Sequence, residues 1–143
     1  MDLSENDFSD IEPLENEYFK NLKELNISRS RTKISNLKVL ENCNFVKLEK
    51  LLLCDLLISD LSFLKGCNFK GLKELYLSYN YIYYNDELEN IEFENLEVLS
   101  LNNNRTLSNL SGLKKVKCEN LKVLDLERNE LSDITVFKEV NFK

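Results

Sequence analysis

Histidine and tryptophan are absent from the 143 residues, and proline occurs once. Without histidine the chain has no imidazole to titrate near neutral pH or to ligate zinc, which removes His-based general catalysis and His-containing metal sites. Three glycines, Gly66, Gly71 and Gly112, are too scattered to build a phosphate-cradling loop. Apolar residues are interrupted so often that no run approaches the roughly 18 needed to span a bilayer. The four cysteines, Cys43, Cys54, Cys67 and Cys118, form no C-x-x-C pair. No cofactor, metal or enzymatic reaction is expected.

The acids are unevenly placed. Asp2, Glu5, Asp7, Asp10, Glu12, Glu15 and Glu17 precede the first base, Lys20, while the rest of the chain carries 18 acids against 19 bases. A basic stripe able to neutralise phosphates is missing, so nucleic acid is not an expected partner. The opening "MDLSENDFSD" is acidic where a secretory signal is basic and then apolar, and the chain therefore reads as cytoplasmic, with no membrane partner.

Against these absences stands one repeated pattern. "LKELNI" begins at Leu22, "LEKLLL" at Leu48, "LKELYL" at Leu72, "LEVLSL" at Leu96 and "LKVLDL" at Leu121. Between them lie "ISNLKVLENCNF" from Ile34, "ISDLSFLKGCNF" from Ile58, "LSNLSGLKKVKC" from Leu107 and "LSDITVFKEVNF" from Leu131. "FSDIEPLENEYF" from Phe8 fits as the back of a repeat whose front is missing. Residues 1–21 thus read as an acidic half repeat acting as a cap, followed by five repeats at 22–47, 48–71, 72–95, 96–120 and 121–143 in one domain.

The alternating leucines predict short strands with one buried face near Leu25 to Ile27, Leu51 to Leu53, Leu75 to Leu77, Leu99 to Leu101 and Leu124 to Leu126. The back blocks place apolar residues at every third position, as in Ile58, Leu61, Leu64 and Cys67, which predicts short helical or 3₁₀ segments capped by residues such as Ser59 and Asp60 or Ser132 and Asp133. Stacking such coils aligns like positions in rows. Phe19, Phe45, Phe69, Phe93, Cys118 and Phe142 form an aromatic spine, while Lys23, Glu49, Lys73, Glu97 and Lys122 alternate in charge, as do Glu24, Lys50 and Glu74. Acids at Asp86, Glu87, Glu89, Glu92 and Glu94 on one back segment face bases at Lys114, Lys115 and Lys117 on the next, for mutual neutralisation. Cys43, Cys67 and Cys118 fall at core positions, Cys43 and Cys67 near enough in neighbouring coils to bridge but expected to stay reduced as cytosolic thiols at apolar positions, and Cys54 is expected to be the one that meets solvent.

These blocks resemble the leucine-rich repeat family, whose pattern L-x-x-L-x-L-x-x-N-x-L is matched in full by Leu72 to Ile82 and Leu121 to Leu131. The "ISDL" segments are most similar to the short repeats of bacterial internalins and of a regulatory subunit of a protein phosphatase. The resemblance implies an α/β right-handed solenoid, horseshoe-shaped, with parallel strands on the concave face and short helical or 3₁₀ segments on the convex one. The turn asparagine of the pattern is present as Asn80, Asn104 and Asn129, whereas Ser30 and Leu56 replace it in the first two repeats. Two extra residues before Ile34 and one before Leu107 are expected to bulge those turns.

Residues between the leucines face away from the core. One row reads Asn26, Leu52, Tyr76, Ser100 and Asp125, and the next Arg29, Asp55, Tyr79, Asn103 and Arg128. Leu52, Tyr76, Tyr79 and Tyr81 form an apolar-aromatic patch that the core does not need. Aromatic and arginine side chains on a rigid sheet are the usual anchors of protein interfaces. Leu52, Asp55, Tyr76, Tyr79, Tyr81, Asn103 and Arg128 are therefore the candidate partner-binding residues, with the acids Asp55 and Asp125 read as recognition groups rather than a catalytic pair. The expected function is a protein–protein interaction module. The resemblance also allows a regulatory subunit docking on an enzyme such as a phosphatase, or an internalin-like recognition protein. The last repeat, with Leu124, Leu126, Leu131, Ile134, Phe137, Val140 and Phe142, is expected to show an apolar edge, so that the chain is expected to be either a piece of a longer repeat protein, the favoured alternative, or one that self-associates through its last coil.

Overall fold

A leucine at every second position needs one buried face, and stacking coil upon coil provides it. The alternating blocks form five strands, β1 (Glu24–Asn26), β2 (Lys50–Leu52), β3 (Glu74–Tyr76), β4 (Val98–Ser100) and β5 (Val123–Asp125), in one parallel sheet ordered as in the chain. Leu25, Leu51, Leu75, Leu99 and Leu124 pair in register, and so do Asn26, Leu52, Tyr76, Ser100 and Asp125. Each strand starts one residue earlier than the leucine spacing suggests. Pairing nonetheless runs on beyond it, since the Ile27 N–H donates to Leu52 O at 3.2 Å and the Arg29 N–H to Cys54 O at 2.8 Å. The computed structural model describes residues 1–83, 86–91 and 93–140, with the side chains of Glu87 and Asn90 outside that description. The expectations placed on Glu87, Glu92 and Phe142 lie outside it too.

The return segments are one short helix, α1 (Val39–Asn42), and 3₁₀ turns at Glu12–Glu15, Glu17–Phe19, Ser62–Gly66, Asp86–Asn90, Ser111–Lys114 and Thr135–Lys138. A side-chain oxygen two residues before the first N–H of a segment holds it open. Asp60 accepts from Ser62 at 2.6 Å and Asp133 from Thr135 at 2.7 Å, with Asp10, Asn36 and Asn109 in the same role. Between strands and return segments lies a continuous core in which Leu25, Leu51, Leu75, Leu77, Leu99 and Leu101 are fully buried. Phe45, Phe69, Phe93 and Cys118 form the spine beside it, and Phe19 is partly buried at its end.

Turn asparagines bind neighbouring coils together. Asn80 accepts the Leu56 and Ile58 N–H groups at 3.0 and 3.1 Å and donates to Leu53 O and Leu77 O at 2.8 and 2.9 Å. Asn104 accepts from Ile82 and donates to Leu77 O and Leu101 O, and Asn129 accepts from Asn104 and donates to Leu101 O and Leu126 O. Each carboxamide thereby satisfies backbone groups of two coils that burial would leave without water. At the two substituted positions Leu56 is buried and Ser30 instead donates to Phe8 O and Thr32 O, both at 2.8 Å.

The front of the first, half-length repeat is present after all. Asp2 pairs in parallel with Asn26, the Leu3 N–H donates to Asn26 O at 2.8 Å, and the Glu5 N–H donates to Ser28 O at 3.1 Å. Asn6 stands in the asparagine row, donating to Leu3 O and Ser4 O as Asn80 donates to Leu77 O and Ser78 O. The extra residues after Ser30 are tied back to this segment, Arg31 N–H to Asn6 O and Thr32 Oγ1 to Asp7 O. The extra residue before Leu107 closes into a tight turn, Leu107 N–H to Asn104 O at 2.7 Å.

The charge rows pair as their alternation suggests, Glu49 with Lys73 at 2.8 Å and Lys23 at 3.7 Å, Glu97 with Lys122 at 2.8 Å, and Lys50 with Glu74 at 3.3 Å. On the back, Lys115 meets Glu89 at 2.8 Å across neighbouring coils, but Lys114 turns the other way to Glu139 at 3.0 Å. In the last coil Leu124, Leu126, Leu131 and Val140 are partly buried, while Ile134 and Phe137 are 63% and 39% exposed.

Candidate functional site

Three residues beyond the end of each strand the backbone turns left-handed at a residue that is never glycine. Arg29, Asp55, Tyr79, Asn103 and Arg128 have φ of 56°, 54°, 60°, 56° and 56°, and Glu5 at 59° extends the row to the first segment. The cause lies in the spacing of the buried side chains. Strict alternation after inward Leu77 would turn residue 79 inward, yet Tyr79 is exposed and Asn80 is buried. A left-handed residue accommodates the additional outward position, at a conformational cost of roughly 1–2 kcal/mol per residue. That turn directs the Tyr79 ring out of the rim, 54% exposed.

Tyr79, Tyr81, Asp55, Asn103 and Arg105 line one open groove of about 290 Å³ running across three coils, together with Asn80 and Thr106. Tyr81 is 57% exposed. The groove has charge at either end and rings between. Asp55 makes no ion pair or side-chain hydrogen bond among the described residues, and neither does Arg105, whereas Arg29 beside Asp55 is engaged by Glu5 at 2.8 Å. Asn103 donates to Asn102 Oδ1 at 3.2 Å.

Four of the seven residues singled out from sequence thus meet here, namely Asp55, Tyr79, Tyr81 and Asn103. Leu52 and Tyr76 sit on the strands themselves, partly buried, outside this groove. The Tyr76 hydroxyl donates to Glu74 at 3.0 Å and the Lys50 ammonium lies 5.5 Å from its ring centre, so this ring is held by the sheet. Burial, and then the Glu74 carboxylate, push the Tyr76 hydroxyl pKa up. Arg128 lies two coils from Tyr79 in the same row and pairs with its neighbour Glu127 at 3.3 Å. Arg105, missing from the sequence-derived set, was signalled only by its place in the turn before Leu107, which is one residue longer than the turn before Ile82.

Asp55 and Asp125 are separated by three strand spacings, about 14 Å. Burial by itself would raise the Asp125 carboxyl, but the Asn102 amide, the Glu127 N–H and the Ser100 hydroxyl outweigh it and hold the carboxyl below its ordinary range. All four cysteines are free. Cys67 as well as Cys54 is partly exposed, and the Cys67 thiol donates to Phe63 O at 3.2 Å. Burial pushes the thiols of Cys43 and Cys118 up to about 11 and that of Cys67 up to about 12, so they stay protonated at neutral pH and are poor nucleophiles. Among the described residues no group of three or more Cys, Asp or Glu is arranged to hold a metal ion, and no helix is long and apolar enough to cross a membrane.

Residues 94–139 match the family model described as Leucine Rich repeats (2 copies). No curated protein matches the chain. Among solved structures, an internalin (inlF) from Listeria monocytogenes superposes with a TM-score of 0.62 at 24% identity, covering 95% of this chain and 43% of its own. An internalin C2 (inlC2) from the same organism gives a TM-score of 0.46 at 20% identity, covering 95% and 74%. The chain therefore spans less than half the length of inlF. The superposition on inlF is a likeness of fold.

Proposed function

We propose, on the premise that the chain is a leucine-rich repeat protein, that it serves as a protein-binding module whose partner docks on the strand face and its rim, with no reaction of its own. The observation that carries this reading is the exposure of Tyr79 and Tyr81 on a backbone fixed by the coil ladder. Two large amphipathic rings are offered to solvent at positions the core does not require. Rings that are already ordered lose little entropy when covered, which suits them as interface anchors. The test is affinity capture from the native source with the unaltered chain and with Tyr79→Ala/Tyr81→Ala, followed by titration of whatever is recovered. Loss of roughly 2 kcal/mol or more of binding with unchanged thermal unfolding is the expected result. Equal capture by both proteins would remove the rim from the interface.

An internalin-like recognition protein is the narrower version of this reading, favoured by the shared architecture with inlF. Fractionation of the native source distinguishes it, since it calls for the protein at the surface or outside the cell.

A further inference from the structure

Cys43 and Cys67 occupy the same place in neighbouring coils. Each follows directly on a return segment, Cys43 after α1 and Cys67 after Ser62–Gly66, with extended backbone at φ −71°, ψ 126° and φ −76°, ψ 141°. Each thiol donates to the carbonyl four residues back, Val39 O at 3.4 Å and Phe63 O at 3.2 Å. The offset between them is the one by which β2 pairs with β3, so the two positions are in register. Two glycines show how tightly the coils meet on this side. A Cβ placed on Gly66 would stand 2.7 Å from the Glu41 side chain, and one on Gly71 would stand 3.3 Å from Leu48 O and 3.8 Å from Val46 O. Gly66 and Gly71 bracket Cys67, while Glu41 and Val46 bracket Cys43, so the cysteines lie on stretches of backbone that touch on both sides of them. In-register neighbours of a parallel stack are about 4.8 Å apart. A disulfide needs Cα atoms roughly 4.4–6.8 Å apart, which this stacking provides. Cys54 and Cys118 stand in other rows and have no cysteine beside them.

The pair is unequal in access. Cys43 is 4% exposed, whereas Cys67 is partly exposed and borders an open pocket of about 210 Å³ lined also by Lys65, Lys70, Ile91 and Glu94. We propose that Cys43 and Cys67 are a redox pair that closes into an inter-coil disulfide when the protein meets a small-molecule disulfide, with Cys67 reacting first and Cys43 resolving. The Cys67 sulfur, as thiolate, attacks one sulfur of the oxidant, forming a mixed disulfide and releasing the other half as a thiolate. Cys43 then loses its proton and attacks the Cys67 sulfur, and the second half of the oxidant leaves. The oxidant takes up the two electrons, and the two cysteine protons end on the two small thiols. Burial keeps both cysteines protonated at neutral pH, which makes the exchange slow without redirecting it. The bridge fastens the coil that carries Asp55 to the coil that carries Tyr79 and Tyr81.

The test uses the full chain with Cys54→Ser, which removes the partly exposed thiol outside the pair, and treats it with oxidised glutathione in mildly alkaline buffer. Mass spectrometry of the folded protein is expected to show the loss of two hydrogens. Proteolysis without reduction should then yield one linked peptide pair, joining Cys43 to Cys67, with Cys118 free. Adding Cys43→Ser should halt the reaction at a glutathione adduct on Cys67, and adding Cys67→Ser should leave Cys43 unmodified. The bridged protein should unfold several degrees above the reduced one, because the link restricts the unfolded chain, and dithiothreitol should abolish the difference. A glutathione adduct that persists on Cys67 while Cys43 is present, a link that forms only in urea, or no reaction of either cysteine in the folded protein would overturn the proposal. The linkage result is read with both cysteines in place, so it stands even if a serine variant fails to fold.

Discussion

Two stretches of the same solenoid close their turns by different means. From β3 onward each turn is bound to its neighbour by a carboxamide, buried for Asn80 and Asn104 and partly buried for Asn129, whose amide and carbonyl each reach backbone groups in adjacent coils. In the turns after β1 and β2 the corresponding positions are Ser30 and Leu56. There the contact falls to the Ser28 hydroxyl, which accepts the Cys54 N–H at 3.0 Å, and to the Leu56 side chain, which fills the space with carbon. The leucine core is the same on both sides. The stack therefore forms from the core, and the asparagines decide how much of the turn backbone is satisfied once stacking has happened.

The sharpest way to break this comparison begins with the shared element. Leu101→Ala, at a fully buried position, should cost about 2–5 kcal/mol in urea unfolding. A loss below about 1 kcal/mol would mean that the core does not carry the stack. Asn104→Ala should come next, at about 2–3 kcal/mol, because it leaves the Ile82 N–H and two leucine carbonyls without partners in a buried place. Ser30→Ala, in a turn that lacks its own carboxamide, should cost less than about 1 kcal/mol. Equal losses for Asn104→Ala and Ser30→Ala would erase the distinction.

A smaller effect concerns the left-handed row common to both stretches. Arg128→Gly should raise stability by up to about 1 kcal/mol by removing the Cβ that opposes positive φ, and Arg128→Val should lower it. The smallest is a pH effect confined to the carboxyl-terminal stretch. The Asp125 carboxyl is held below its ordinary range, so the unfolded chain, at about 3.9, takes up the proton first. Its stabilising contribution is complete above that value and lost as pH falls through the lower folded one. Asp125→Asn should accordingly flatten the decline in urea midpoint below about pH 4, and an unchanged decline would assign the acid sensitivity elsewhere.

Much of this was legible in the sequence. Leucine spacing set the strand phase, and rows read across repeats located the phenylalanine spine and the alternating charges, because stacked coils turn sequence period into spatial adjacency. The pairing of residues 1–6 alongside β1 was not read, since "MDLSEN" lacks the leucines that open the other blocks and its acids suggested a solvated end. Asn6, 24 residues before Ser30, was the signal that could have found it. The separation of Tyr76 from Tyr79 was equally hidden. Alternation says which face a ring is on, not that a lysine and a glutamate from the sheet will hold it there. Nor did the sequence announce the left-handed row, which carries no glycine to mark it.

That row restricts what this surface can become as the sequence drifts. Branching at Cβ is disfavoured at positive φ, so valine, isoleucine and threonine are poor occupants of the positions now held by Arg29, Asp55, Tyr79, Asn103 and Arg128. Aspartate, asparagine, arginine and tyrosine remain available, all of them polar or amphipathic and able to make directed contacts. The backbone thus filters substitutions at the rim toward recognition chemistry, and one of these positions can be exchanged without disturbing a leucine beneath it. A solenoid of this kind is able to acquire a different partner by single exchanges drawn from that short alphabet.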